Sequence, residues 1–308
     1  MTAHDEAAPN RHPMISYFQA IVIGLLQGVT ELFPISSLGH SVLLPAWLGW
    51  DSITKGQSTE SPYLAFLVAL HCATALALLV YFRRDWVRII GGFLHTLKTR
   101  KIETPDERMA WLLIVATIPA GILGLAFEHK LRTIFAKPVA ASIFLTINGG
   151  ILLFGEWIRR RSAVRELVAT HETAHSKSEE GRRLETLDFK ESVAVGVAQV
   201  AALFAGISRS GITMVTGLAR GLDHEDAARF SFLLATPIIF AAGVYKIPDL
   251  MGHLGDGIRG QALVGGLFAG VAAYVSVHFL VRFFQTRNLL PFAIYCLLAG
   301  TISIIRFA

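Results

Sequence analysis

The sequence predicts an all-α, multi-pass membrane protein with six transmembrane helices and two re-entrant, broken helical hairpins in an inverted-topology repeat. Three observations predict it. The 308-residue chain is 53% hydrophobic and only 17% charged, whereas soluble domains carry about 25% charged residues. Six apolar runs, at 62–82, 110–127, 138–158, 228–247, 261–281 and 289–307, match a bilayer core, which takes roughly 20 helical residues to cross. Two short polar segments then interrupt apolar sequence: Ile35-Ser36-Ser37-Leu38-Gly39-His40 and Ile207-Ser208-Arg209-Ser210-Gly211-Ile212-Thr213. Both read Ile-Ser-x-x-Gly, 172 residues apart, and each follows a Leu-Phe pair, Leu32-Phe33 or Leu203-Phe204.

Residues 1–16 are polar, contain Pro9 and Pro13, and read as a disordered tail. The first apolar stretch carries Gln27 and Glu31, which argues against a cleavable signal peptide. Residues 17–33 stop at Pro34, and a second apolar piece, 41–50, follows Gly39. Together they make the first broken hairpin, and three spans complete a first repeat over 17–158. A Glu/Arg/Ser-rich linker, 159–188, leads to a second repeat, 189–308. It opens with the pieces 189–204 and 212–221 around the second polar loop and closes with three more spans. Non-helical backbone at membrane depth is tolerated only where protein or a wet cavity covers it, so each hairpin should enter and leave on one side. Three spans is an odd number, so the second hairpin enters from the opposite face and the broken helices meet near the midplane. Short Ser/Gly motifs are common; the matching order of elements favours a true repeat.

Loop charge sets the orientation. Loops 83–109 and 159–190 together with Arg220, Arg282 and Arg287 hold 18 basic residues on one face, against 8 on the other. The first face is expected to be cytoplasmic, with both termini and the mouth of the first hairpin outside. The net charge of +5 is spread over loops and is no nucleic-acid signal. Cys72 and Cys296 each lie in an apolar run and give neither a disulfide framework nor metal spacing.

The polar loops are the candidate site. An Arg at the bilayer centre costs about 2.5–3.5 kcal/mol on translocon scales, so duplicated polar groups there point to function. Gln27 and Glu31, four apart, share a helix face. A carboxylate at that depth must be paired, protonated or bound to a cation. Glu31 is therefore a ligand, with Gln27, for a hard divalent ion such as Mg2+, the partner of Arg209, or a carboxylate hydrogen-bonded to the loop backbone. Ser36 and Ser37 precede a half-helix, where Ser either caps the helix or helps an N-terminus hold an anion. His40 lies one turn beyond Ser37: a base toward the hydroxyl, an acid toward a leaving group, or a satisfied core histidine. The planar fork of Arg209 suits bidentate phosphate contacts, with Ser208, Ser210, Gly211 and Thr213 around it. A snorkelling Arg would sit at the end of a span instead. His71, Asn148 and His278 read as helix–helix hydrogen-bonding residues, and Glu156, Trp157 and Arg159 as an interface belt.

At these residues the chain resembles a known family. Gln27-Gly-Val-Thr-Glu31, Pro34-Ile-Ser36-Ser37-x-Gly39-His40 and Gly206-Ile-Ser208-Arg209-Ser210-Gly211-x-Thr213 are similar to the signatures of the undecaprenyl-diphosphatase, or bacitracin-resistance, family. Phe230 to Pro237 and Pro291 to Tyr295 resemble it too. The resemblance implies hydrolysis of undecaprenyl diphosphate to the monophosphate and inorganic phosphate, outside the bacterial inner membrane. That reaction recycles the lipid carrier for cell-wall synthesis and confers bacitracin resistance. The resemblance also implies a divalent cation, Mg2+ or Ca2+, with Glu31 as metal or acid–base group, Ser37 or His40 as nucleophile or base, and Arg209 as phosphate clamp. The implied partners are a polyprenyl diphosphate and membrane lipids; oligomeric state stays open, a homodimer included. A lipid-phosphate transporter is the competing class, because inverted repeats with broken helices are a common transporter plan. Ser37 with His40 tips the reading toward hydrolysis. Two positions depart from the family pattern: Gln27 stands where many members have Glu, and Ala205 where Pro is usual.

Overall fold

The computed structural model describes residues 14–50, 53, 61–135, 137–169 and 182–308. Most of the expected tail and the middle of the expected linker, residues 170–181, lie outside them. Among the described residues eleven α-helices are α1 Tyr17–Thr30, α2 Ser37–Leu48, α3 Pro62–Tyr81, α4 Arg83–Thr99, α5 Pro105–Phe135, α6 Pro138–Ala169, α7 Phe189–Gln199, α8 Arg209–Ala219, α9 His224–Met251, α10 Arg259–Thr286 and α11 Leu290–Phe307. Six of them, α3, α5, α6, α9, α10 and α11, are long and apolar enough to span a bilayer, and they coincide with the six expected runs. Their outward faces carry exposed Ile118, Leu125, Leu263, Leu267 and Ile305. Such faces suit hydrocarbon rather than water. The protein is an all-α polytopic membrane protein.

Two segments differ from expectation. Residues 83–109, expected as a loop, contain α4. The expected linker starts at 159, but α6 continues to Ala169, because its Arg/Ala/Glu/Leu-rich end keeps good helix formers past the apolar stretch.

Local chemistry explains the breaks that matter. Ser16 opens α1 with a capping box to Gln19. The helix stops ahead of Pro34, and α2 restarts after Ser36, which sits at φ 71°, uncommon for a residue with a Cβ. Within α2, Pro45 lacks the N–H that would reach the Ser41 carbonyl. The Tyr63 hydroxyl of α3 donates to that carbonyl instead, at 2.8 Å, and so ties the hairpin to the first span. The second break is α7, a 3₁₀ turn at Val200–Leu203, and α8, capped by Ser208. Ala205 needs no proline here: Ile207 N–H donates to Phe204 O at 3.0 Å, with Gly206 at φ 115°.

Packing is reciprocal between the halves. The opening helix of the first half, α1, packs on α10, the middle span of the second; α7 packs on α5, the middle span of the first. The spans α3 and α9 pack together, as do α6 and α11. Gly24 of α1 lies against the backbone of Gly265, and Gly196 of α7 against that of Ala116, and neither position has room for a Cβ. These two glycines are 172 residues apart, the same offset as the polar loops.

The segments expected on the cytoplasmic face meet at one end of the bundle. Arg108 Nε donates to Leu187 O at 3.1 Å, and Arg229 pairs with Asp85 at 2.6 Å. His224 Nε2 lies 2.7 Å from Glu156 Oε1, which also accepts from Leu289 N–H at 2.8 Å. Glu156 is therefore a buried bracket rather than part of an interface belt.

Candidate active site

The two broken hairpins cross, and their polar loops touch. A Cβ on Gly39 would come within 2.9 Å of the Gly206 Cα, so only glycine permits this approach. Ser36 Oγ accepts from Gly39 N–H and from Gly206 N–H, both at 3.2 Å. It thus caps its own helix and holds the opposite loop. Asn148 of α6 stitches the same crossing: its Nδ2 donates to Pro34 O at 2.9 Å, and its Oδ1 accepts from Ser208 N–H at 2.9 Å. Sequence reading took Asn148 for helix–helix glue; it braces both loops instead.

Glu31 lies at this crossing, buried, at the end of α1. Its Oε1 accepts from Arg209 Nη2 at 2.6 Å. Its Oε2 accepts from Gln27 Nε2 at 3.0 Å and from the Ser37 hydroxyl, and it faces His71 Nε2 at 3.3 Å. Four elements therefore supply one carboxylate: α1, α2, α3 and α8. A buried charge needs a partner and further hydrogen bonds, and this one has both. Around this carboxylate two buried atoms of the described residues stay unpartnered, Arg209 Nη1 and Gln27 Oε1. Buried polar atoms without partners are rare and call for a ligand or water.

The structure thus brings Glu31, Ser37, Arg209 and Gln27 together, as expected from sequence, and adds His71. His71 Nδ1 faces Leu67 O at 2.8 Å. A carbonyl only accepts, so Nδ1 carries a hydrogen and Nε2 is the nitrogen turned to Glu31. The sequence reads His71, like Asn148, as a helix–helix hydrogen-bonding residue; it faces Glu31 instead, arriving from α3 forty residues after it.

His40 stands apart from this cluster. Its Nδ1 lies 2.7 Å from Ser36 O, and its Nε2 2.7 Å from the Tyr295 hydroxyl. With Nδ1 donating to a carbonyl, Nε2 accepts from Tyr295. The expected pairing of His40 with Ser37 is therefore corrected: Ser37 donates to Glu31, and both ring nitrogens of His40 are engaged elsewhere.

The hydroxyls expected to bind phosphate are engaged with nearby backbone and with one another, as buried hydroxyls commonly are. Ser208 Oγ accepts from Gly211 N–H at 3.1 Å and lies 3.0 Å from Ser210 Oγ. Ser210 Oγ donates to Phe33 O at 3.2 Å, and Thr213 Oγ1 lies 2.7 Å from Ser231 Oγ. Ser36, Ser208, Ser210, Gly211 and Thr213 build the loops, and Arg209 is the group they present.

Among the described residues no three His, Cys, Asp or Glu side chains gather as a ready metal set. Gln27 donates its Nε2 to Glu31 and leaves its Oε1 without a partner, so the two neighbouring side chains nevertheless carry hard oxygens. They fit a cation such as Mg2+, which takes one or two protein carboxylates and fills its shell with substrate phosphate oxygens and water.

Comparison with known proteins fixes the family. The family profile described as bacitracin resistance protein BacA matches residues 20–302. The chain belongs to the bacitracin resistance protein family. Within this family it is similar to undecaprenyl-diphosphatase 2 of Frankia alni, 54% identical over 96% of this chain and 98% of the relative. It is also similar to the undecaprenyl-diphosphatase of Mycolicibacterium paratuberculosis, 55% identical over 100% of this chain and 99% of that one. That of Mycobacterium avium is 56% identical over 96% and 98%. The segment matched to the bacitracin resistance family contains every residue of the crossing, from Gln27 and Glu31 to Tyr295.

Proposed function

We propose that this chain is a membrane phosphatase that hydrolyses undecaprenyl diphosphate to undecaprenyl phosphate and inorganic phosphate. One observation carries the reading: a buried guanidinium is held on one nitrogen by Glu31 and has its other, Arg209 Nη1, unpartnered, beside a serine hydroxyl already bonded to the same carboxylate. A fork fixed along one edge and free along the other is a ready phosphate ligand. Phosphoryl transfer asks mainly for positioning and charge neutralisation, both of which a closed polar junction supplies.

The arrangement supports a role for each group. Arg209 holds the diphosphate. Ser37 Oγ attacks the terminal phosphorus as its proton passes to Glu31, with which it is already hydrogen-bonded. The bond from that phosphorus to the bridging oxygen breaks, and undecaprenyl phosphate departs with the proton. Water then cleaves the serine phosphate, releasing inorganic phosphate and restoring the Ser37 hydroxyl. Gln27 and Glu31 would hold a divalent cation with the substrate's oxygens, and its chemistry there is to neutralise phosphate charge. His71, facing Glu31, fixes the orientation of the carboxylate.

In this reading the two halves form an inverted repeat, with both termini and the site opening on the outer side of the inner membrane. The site then recovers the lipid carrier where wall synthesis releases it, and bacitracin resistance follows from removal of the diphosphate form. The reading rests on the loop-charge asymmetry of the sequence.

The test is phosphate release from C55 and C15 diphosphates by purified protein in detergent, where no second compartment exists and carriage cannot register. Wild-type protein releases phosphate. Ser37→Ala and Arg209→Ala each lose about a hundredfold or more. Wild-type turnover in both variants would overturn the proposal.

A further inference from the structure

The helix hidden in the expected loop has a surface that the phosphatase reading does not use. One face of α4, with Ile89, Gly92, Phe93 and Thr96, packs on α5: Thr96 Oγ1 accepts from Trp111 Nε1 at 3.0 Å, and Gly92 meets the Glu107 backbone. A second face carries Val87, Ile90, Leu94 and Leu97, spaced by three and four residues and exposed; Val87 is 73% and Leu94 58% accessible. The third face is basic, with Arg84, Arg88 and Lys98, and the helix ends in Arg100 and Lys101. Only part of that charge is met within the protein. Arg88 pairs with Asp85 at 2.7 Å, Asp85 also takes Arg229, and Lys101 reaches Glu103 at 3.9 Å. Arg84 and Lys98 have no acidic partner among the described residues.

A helix with one protein-facing stripe, one exposed apolar stripe and one basic stripe beside it belongs at the edge of a bilayer, with its apolar side chains at the acyl boundary and its cations among the headgroups. Its place in the chain agrees. It begins two residues after α3 leaves the membrane, and its Asp85 lies at the same bundle end as Arg229. We propose that α4 is an anionic-phospholipid docking surface, in which Val87, Ile90, Leu94 and Leu97 enter the interface while Arg84 and Lys98 bind lipid phosphates. The unneutralised cations select anionic over zwitterionic lipid, since juxtamembrane basic residues are drawn to anionic headgroups and an apolar stripe alone is not. None of these residues touches the Glu31–Arg209 cluster, so the surface is separate from the site.

The experiment places a fluorescent non-canonical amino acid at position 94, and in a second protein at position 87, with the full chain in nanodiscs. Quenching is titrated with brominated phosphatidylglycerol, with brominated phosphatidylcholine and with aqueous iodide. The expected result is quenching by both bromolipids, at a lower mole fraction for phosphatidylglycerol, and shielding from iodide. In the Arg84→Gln/Lys98→Gln protein, quenching by phosphatidylcholine stays, while the preference for phosphatidylglycerol falls by roughly tenfold or more. Phosphate release by each labelled protein, unchanged from wild type, certifies the fold. Efficient iodide quenching, or shielding from iodide and bromolipid alike as a protein partner would give, overturns the proposal. So does an equal response to the two lipids in the wild-type background.

Discussion

Replacing Arg209 with Met tests the central contact quantitatively. The change keeps length and apolar volume and deletes the guanidinium, whose Nη2 sits 2.6 Å from Glu31 Oε1 with side chains only 14% and 5% exposed. Removing one partner of a buried pair typically costs about 3–5 kcal/mol, because the survivor is left as an uncompensated charge. Here Glu31 keeps Gln27, Ser37 and His71 on its other oxygen, so the expected loss is smaller than that, about 2–3 kcal/mol. Glu31→Gln in the same protein removes the stranded charge, and the double variant should recover about 2 kcal/mol relative to the sum of the singles. Phosphate release should fall about 10²–10³-fold in each single variant and no further in the double, since both then lack the same unit. The assays are denaturant unfolding in detergent and phosphate release from the C55 diphosphate. Additive stability losses, within about 0.5 kcal/mol, would refute the claim that these two groups act as a pair.

Three further outcomes are expected. His71→Ala lowers kcat by more than His40→Ala does, because only His71 touches the carboxylate that meets Ser37; steady-state kinetics with the C15 diphosphate rank the two. Asn148→Leu leaves the Ser208 amide unpaired at the crossing and the Pro34 carbonyl with only the Cys296 thiol, 4.0 Å away; an orphaned buried group costs about 1–3 kcal/mol, and the midpoint of denaturant unfolding should drop accordingly. Gln27→Glu adds a second carboxylate beside Glu31, so the divalent-cation concentration giving half-maximal phosphate release should fall; an unchanged or raised midpoint would argue against a cation at these oxygens.

Much of this was legible in the sequence, for a physical reason in each case. The six spans announced themselves because a bilayer imposes a length on apolar runs. The broken hairpins showed as polar islands, since Arg209, Ser37 and Glu31 have no cheap place in hydrocarbon. The 172-residue offset that suggests a repeat recurs beyond the loops, between Gly24 and Gly196, each closely packed on a partner helix. What stayed hidden was direction. Ser36, Ser208, Ser210 and Thr213 look alike on paper whether they face a ligand or the neighbouring backbone, and only the folded loops show that they turn inward. The spacing of His40 suggested a partner one turn away, but its ring points to Tyr295 on the last helix. His71 read only as a helix–helix hydrogen-bonding residue, because its neighbours in space come from α1 and α8. The helix α4 was masked by its own charges: its apolar positions are spaced for a side-lying helix, while its average polarity reads as a loop.

The stitching at the crossing restricts how the molecule can move. Asn148 buttons the first loop to the second, Ser36 reaches across to Gly206, and Gly39 presses on the same backbone, so the opening hairpins of both halves are fastened to one another. An alternating carrier must let one half swing past the other, and each swing here would tear open three buried contacts together. The fastened middle suits a stationary anvil, on which lipid headgroups are cut at a fixed depth and the tail does the travelling.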